Sequence, residues 1–205
     1  MNVLVACEYS GRVRDAFIAR GHMAMSCDLL ETEVSGPHYK GDIRDVTREG
    51  FPWDLLVAHP PCTRMTNAGS RWLVVPPPGK TLPRMWADLH EAVAFYKFLR
   101  SLPIRRKALE NPLMHCHARA LLDIASRQVV QPWWFGDEAF KATGFELIGL
   151  PPLVATARLV PPPLGSSEHK RWSAIHRAAP GPDRWKFCSR TFQGIADAMA
   201  DQWGG

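Results

Sequence analysis

Cys62 and Glu110 are the two side chains of this 205-residue sequence best suited to covalent chemistry. Each closes an apolar run, in Asp54-Leu55-Leu56-Val57-Ala58-His59-Pro60-Pro61-Cys62 and in Ala108-Leu109-Glu110-Asn111-Pro112. A thiolate is the best soft nucleophile among the side chains and attacks electron-poor carbon. A carboxyl group in a partly desolvated cleft favours its acid form and can protonate a ring nitrogen. The pairing suits a pyrimidine: a thiolate adds at ring carbon 6, a proton goes to ring nitrogen 3, and carbon 5 becomes enamine-like. That carbon can then take an electrophilic methyl group. Two plainer readings stand beside this one. Cysteine is often a small buried hydrophobe, and Glu-Asn-Pro can cap a helix starting near His115.

The apolar runs are the elements that must position these groups. Trp53 to Ala58 is nearly continuous in apolar residues, as in a strand buried on both faces of a parallel sheet. Asn2 to Ala6 forms a strand, Val13, Ala16 and Phe17 follow with helical spacing, and Arg20-Gly21 closes the helix. A second strand covers His22 to Cys27 and stops at Asp28, and Thr32 to His38 is a loop leading to Gly41-Asp42-Ile43. Pro60 to Pro83 is dominated by Gly, Pro, Ser, Thr and Asn, the composition of a functional loop or lid. Arg84 to Arg100 is an amphipathic helix through Met85, Leu89, Val93, Tyr96 and Leu99. Ile104 to Leu109 returns as a strand, His115 to Ser126 as a helix and Gln128 to Gln131 as a strand. The alternation predicts an α/β domain with a mostly parallel, doubly wound sheet whose ligands bind at the carboxyl edge.

Residues 132 to 188 change character, with prolines at Pro151-Pro152 and Pro161-Pro162-Pro163 and basic residues interleaved with aromatics. They are expected to form a small, irregular insertion between two parts of one domain, 1 to 131 and 189 to 205. The final stretch to Trp203 has helical spacing at Phe192, Ile195, Ala196 and Met199, and is expected to pack on the first strand and helix.

Lys and Arg exceed Asp and Glu by 25 to 20, an excess that fits a polyanionic partner but is common in ordinary enzymes. Five irregularly spaced cysteines, with no Cys-x-x-Cys pair, point away from a disulfide framework or structural zinc and toward a reducing, cytoplasmic setting. No basic region followed by an apolar stretch opens the chain and no segment is long and apolar enough for a bilayer, so no membrane role is expected. His115 and His117 flank Cys116, but neighbours on a helix point apart, so no metal is expected.

In their order these pieces resemble DNA (cytosine-5) methyltransferases. The strand, loop and helix from Val5 through Glu8, Tyr9, Ser10 and Gly11 to Phe17 are similar to that family's opening. Asp28 with Leu29 resembles its ribose acid, and Asp42 in Gly41-Asp42-Ile43 its adenine-contacting acid. Pro61-Cys62 resembles its Pro-Cys nucleophile, Glu110-Asn111 its Glu-Asn pair, and Thr191 to Ala196 its last motif. The resemblance implies a Rossmann-like methyltransferase fold, S-adenosylmethionine as cofactor, and methylation of cytosine carbon 5 in DNA.

It also assigns roles. Cys62, Glu110 and Asn111 would be catalytic. Glu8, Tyr9, Ser10, Gly11, Asp28, Leu29, Asp42, Ile43, His59 and Pro60 would line the cofactor. Lys141, Arg171, Trp172 and Arg184 would contact nucleic acid, since basic and aromatic residues hold phosphates and stack on bases. The chain departs from the family in its cofactor loop, where Gly11 stands without further glycines, and in Lys141 and Thr143 following Phe135-Gly136 where paired arginines are expected. The short insertion implies a loosely read DNA site, single-stranded DNA or a cytosine nucleotide. His59-Pro60-Pro61 half fits the amino-directed methyltransferases, and the depleted glycine loop also leaves open a non-catalytic DNA-binding module.

Overall fold

Strand β1 (Asn2–Ala6), apolar after Asn2, and the wholly apolar strand β4 (Leu55–Ala58) lie side by side at the centre of the sheet, where both faces are covered. The computed structural model describes every residue except 49, 112, 125, 126, 180, 182 and 183. Strands β2 (Met23–Asp28), β3 (His38–Lys40), β5 (Arg106–Asn111), β6 (Gln128–Val130) and β7 (Thr143–Ile148) complete a seven-stranded sheet of order β3-β2-β1-β4-β5-β7-β6. All pairs from β3 to β5 are parallel, and β7 runs antiparallel to both neighbours. The arrangement is the expected doubly wound, Rossmann-like α/β class, with a seven-stranded, mostly parallel sheet.

Helices cover both faces. Side chains alternate across each strand, so Leu4, Ala6, Leu56, Ala58 and Leu109 pack with α4 (Leu82–Ser101), α5 (Cys116–Leu122) and α2 (Ile43–Arg48). Val3, Val5, Leu55, Val57 and Ala108 face α1 (Arg12–Ala19) and α9 (Gln193–Trp203). The last helix does pack on the first: Ala16 and Phe17 meet Ile195, Ala196, Met199 and Trp203, and Arg20 pairs with Asp201 at 2.5 Å. Trp203 is fully buried, and its indole N–H donates to the Pro151 carbonyl at 3.0 Å.

Three segments differ from their sequence reading. Thr143–Ile148 lies in the stretch read as irregular, yet forms β7 between β5 and β6, with Phe145 in the core. Its Gly144 and buried Glu146 break the apolar pattern; Glu146 is accommodated by Arg100 at 2.9 Å. Pro60 to Pro83 contains the short helix α3 (Asn67–Ser70) and a 3-10 turn at Arg71–Leu73. It is pinned to the start of α5, since Thr66 pairs with Met114 and His115 donates its N–H to the Met65 carbonyl at 3.0 Å. The helix expected from His115 to Ser126 is Cys116–Leu122; residues 125 and 126 lie outside the described set. The remaining helices are α6 (Ser167–Trp172), α7 (Ala174–Arg177) and α8 (Arg184–Ser189). No helix among the described residues is long and apolar enough to cross a membrane.

Arg14 is the buried group that the sequence conceals best. It sits on α1, completely inaccessible, and donates to Ser26 Oγ at 3.2 Å, Thr32 Oγ1 at 3.3 Å, and the carbonyls of Val34 and Ser35 at 3.2 and 3.3 Å. One guanidinium therefore fixes the whole β2–β3 connection against the first helix. Replacing it removes a charge and strands several acceptors at once. Arg14→Met is expected to lower unfolding free energy by about 3 kcal/mol in urea titration. A loss below about 1 kcal/mol would mean that water replaces the guanidinium freely.

Candidate active site

Parallel register brings the polar groups into one row. Ala6 is level with Cys27 and with Ala58, and Ala58 with Leu109. One residue further on, Asp28, Cys7, His59 and Glu110 therefore stand along the carboxyl edge of four adjacent strands. This is where open α/β sheets bind ligands. A cleft of about 570 Å³ opens above this edge, walled by Asp28, Leu30, Pro60, Cys62, Trp72 and Glu110 on the sheet side and by Lys141, Arg184, Trp185 and Cys188 opposite. That volume falls within the range of small-ligand sites.

The central contact is one the sequence does not announce. His59 Nδ1 hydrogen-bonds Glu110 Oε2 from the neighbouring strand, with about 9% of each side chain exposed. Burial alone would push His59 down, but the charge and hydrogen bond of Glu110, with help from Glu8, hold it above its ordinary value. Burial alone would push Glu110 up, yet His59 and Lys141 hold its carboxyl below the usual range. Both shifts favour imidazolium beside carboxylate over the neutral Glu110 acid that burial alone would favour, because each charge faces the other.

Cys62 sits in the turn after β4, where its carbonyl accepts from the amides of Met65 and Thr66 at 2.9 and 3.0 Å. Gly69 makes this turn possible: a Cβ there would lie 2.3 Å from the Thr63 carbonyl oxygen. The thiol lines the cleft with Glu110 and Lys141. Burial first, then the Glu110 charge, pushes it up, while Lys141 acts the other way. In the free protein it is a thiol and not a thiolate.

The first loop has its own architecture. Gly11 begins α1 at φ 76°, and a Cβ there would collide with Val34 Cγ2 at 2.5 Å, so glycine alone fits. Glu8 Oε1 accepts from Ser10 Oγ at 2.8 Å and from the Val13 amide at 3.1 Å. Tyr9 donates its hydroxyl to the Lys186 carbonyl at 3.2 Å, lies 3.0 Å from Ser189 Oγ, and meets the Trp185 ring at a centroid distance of 5.7 Å. Residues 184 to 191 thus form a strap across the cleft. It is held further by Arg190 to Glu33 at 2.9 Å, Arg12 to the Thr191 carbonyl at 2.9 Å and Lys141 to the Arg190 carbonyl at 3.2 Å.

The other sequence-derived residues divide plainly. Asp28 lines the cleft, with burial pushing its carboxyl up, and the neighbour that joins it is Leu30, while Leu29 faces solvent. Asp42 accepts from the Arg44 amide at 2.8 Å, pairs with its guanidinium and stands outside the cleft lining; Ile43 is core. Asn111 is fully buried but follows Glu110 on the same strand, so it projects to the opposite face, and its neighbour Pro112 is outside the described residues. Lys141 and Arg184 stand at the cleft. Arg171 is instead paired with Glu138 at 2.7 Å, and Trp172 is buried against Phe140 at 5.4 Å, a small packing core. Trp185, which the sequence offers with Arg171, Trp172, Arg177 and Arg184 as a base-stacking aromatic, lines the cleft, and so does Cys188, whose only sequence signal is that basic and aromatic neighbourhood. Among the described residues no three His, Cys, Asp or Glu side chains are grouped to hold a metal ion. His115 is committed to the Ala118 amide at 3.1 Å and the Arg64 carbonyl at 2.9 Å.

Two measurements test this electrostatic arrangement. Glu110→Gln should destabilise the protein by about 3 kcal/mol, because a buried imidazolium loses its partner. The loss should be fully developed below the ordinary histidine value of about 6.5 and fade as pH rises through His59's raised value. On the acid side the wild-type advantage should also disappear as pH falls through Glu110's lowered value. A pH-independent loss in urea titrations would contradict the charged pair. Separately, iodoacetamide at neutral pH should label Cys62 at least about tenfold more slowly than exposed Cys116, followed by peptide mass spectrometry. Equal rates would contradict a thiol sheltered and pushed up by burial.

No protein-family model matches the chain, and no curated protein matches its sequence. Among solved structures, an Escherichia coli prophage protein named as a DNA modification methyltransferase aligns at 14% identity and a TM-score of 0.46, over 71% of this chain and 45% of that one. The Entamoeba histolytica methyltransferase EhMeth aligns at 14% identity and a TM-score of 0.48, over 78% of this chain and 57% of that one. The chain spans about half the length of these two structures.

Proposed function

We propose that this protein is an S-adenosylmethionine-dependent methyltransferase that methylates carbon 5 of cytosine through a covalent Cys62 adduct. The observation that carries the reading is the convergence of Asp28, His59, Cys62 and Glu110 on one cleft at the carboxyl edge of the sheet. The donor fits this edge: Asp28 closes β2 at a position suited to ribose hydroxyls, and Glu8 Oε2 is a buried oxygen without a protein partner beside it. When bound, the cofactor would supply an electrophilic methyl group.

The side chains do the rest. A cytosine turned out of its stack enters between Cys62 and Glu110, and Glu110 meets ring nitrogen 3. The proton held by His59 reaches the ring through Glu110, which lowers the charge facing the thiol as the base becomes electrophilic. Cys62 gives its proton to solvent water in the cleft, with the Lys141 charge beside it favouring the thiolate, and its Sγ bonds to ring carbon 6. After carbon 5 is methylated, solvent water takes its proton, the electron pair of that C–H bond restores the ring double bond, the Sγ–carbon bond breaks and the thiolate leaves. Tyr9, Trp185 and the strap exclude bulk water and offer aromatic surface to a base. With Arg171 and Trp172 taken up in internal contacts, Lys141, Arg184 and Trp185 make a short nucleic-acid contact set, which favours single-stranded DNA or a cytosine nucleotide.

One observation favours a second reading, methylation of an exocyclic amine. His59-Pro60-Pro61 lies at the cleft and the resting Cys62 thiol is protonated. Cys62→Ser separates the two. An oligonucleotide containing 5-fluorocytosine, given the donor, should form an adduct with the wild type that survives denaturation, and none with the variant. Methyl transfer undiminished in Cys62→Ser, measured by nucleoside mass spectrometry, would establish the amino-directed reaction instead.

A further inference from the structure

A small chamber of about 50 Å³ adjoins the main cleft, sharing Cys7, Tyr9, His59 and Ser189 with it. Its remaining walls are Glu8, Ser10, Arg190 and Thr191. One water needs about 10–15 Å³ of such space, so the chamber is larger than a single solvent site. Two buried polar atoms border it without any protein partner, Glu8 Oε2 and His59 Nε2. Both side chains are otherwise fully engaged, Glu8 through Oε1 to Ser10 and Val13, and His59 through Nδ1 to Glu110. A buried donor or acceptor left without a partner is expensive. Two of them, of opposite kind, in one chamber define what should fill it.

We propose that this chamber is a zwitterion site that holds the α-amino-acid end of the donor, with the ammonium on Glu8 Oε2 and the carboxylate on His59 Nε2. The inference rests on the methyltransferase reading and adds to it the two side chains that recognise one end of the cofactor. The chamber's charge argues against simpler ligands. A lone anion such as phosphate meets the Glu8 carboxylate, and a lone cation meets the His59 imidazolium. A group carrying both charges satisfies each orphan with a charge-assisted hydrogen bond. The Arg190 guanidinium is engaged by Glu33, so it leaves the carboxylate to His59. The chamber also lies at the first loop, where Gly11 stands without further glycines and Glu8 supplies a side-chain carboxylate.

Calorimetric titration with three ligands tests this: S-adenosylhomocysteine, its analogue lacking the α-amino group, and methylthioadenosine, which lacks the whole amino-acid end. Wild type should bind S-adenosylhomocysteine at least about tenfold more tightly than the des-amino analogue. Glu8→Gln keeps an oxygen for Ser10 and Val13 while replacing Oε2 by a donor. It should weaken S-adenosylhomocysteine at least about tenfold, and leave the des-amino analogue and methylthioadenosine unchanged. Methylthioadenosine also reports that the variant retains its nucleoside site. If wild type binds the first two ligands equally, or if Glu8→Gln weakens all three alike, the zwitterion site is overturned while the donor reading stands. If none of the three binds folded wild type, the donor reading and this inference fall together. The wild-type comparison decides the matter even if Glu8→Gln does not fold.

Discussion

The ion pair between His59 and Glu110 is the constraint around which the site is organised. Two ionisable groups on adjacent parallel strands, each about nine-tenths buried, are tolerable only as partners. Their pairing demands the register in which Ala58 is level with Leu109. It also fixes His59 so that one ring nitrogen is spent on Glu110 and the other looks toward Glu8 and the small chamber. A slip of one residue between β4 and β5 would put the two groups on opposite faces. The apolar strands therefore do more than fill a core; they hold two charges in contact.

This explains why the edge of the sheet was legible and the pairing was not. Strands β1 and β4 are buried on both faces, which writes near-continuous apolar runs into the sequence, β5 carries a shorter one at Ala108-Leu109, and a polar residue after such a run sits at or near the strand's end. Cys62, Glu110 and Asp28 could be read for that reason. Register between strands fifty residues apart leaves no local trace, so the His59 contact and its effect on Glu110 protonation had no signal. Asp42 shows the converse: an acid at a turn serves equally well to cap α2, and its spacing does not distinguish the two uses.

Other misses share a physical cause. β3 has three residues, too few for a pattern, and β7 reads Thr-Gly-Phe-Glu-Leu-Ile, whose buried glutamate depends on Arg100 from a distant helix. Arg14 lies on a helix face with Val13 and Phe17 and resembles an ordinary surface arginine until the β2–β3 loop closes over it. Trp172 and Arg171 looked like a nucleic-acid stripe, but an aromatic residue in a proline-rich stretch is as useful for holding loops together as for stacking on bases. Tertiary partners decide such residues, and a single sequence does not contain them.

The strap from 184 to 191 has a consequence for timing. It is fastened to the first loop by the Tyr9 hydroxyl and to the β2–β3 loop by the Arg190–Glu33 pair, contacts that are polar, partly solvated and weak one by one. Trp185 and Phe187 on the same segment are each nearly half exposed, so little apolar area anchors it. Such a cover opens by breaking a few surface bonds without disturbing the sheet. The floor of the cleft and the roof over it thus rest on different supports: the floor on strands buried in the core, the roof on a few polar contacts of the kind that open locally. Turnover in an enzyme built this way would be paced by how often the roof lifts, and salt, by loosening the Arg190 tether, would act on release before it acted on bond making.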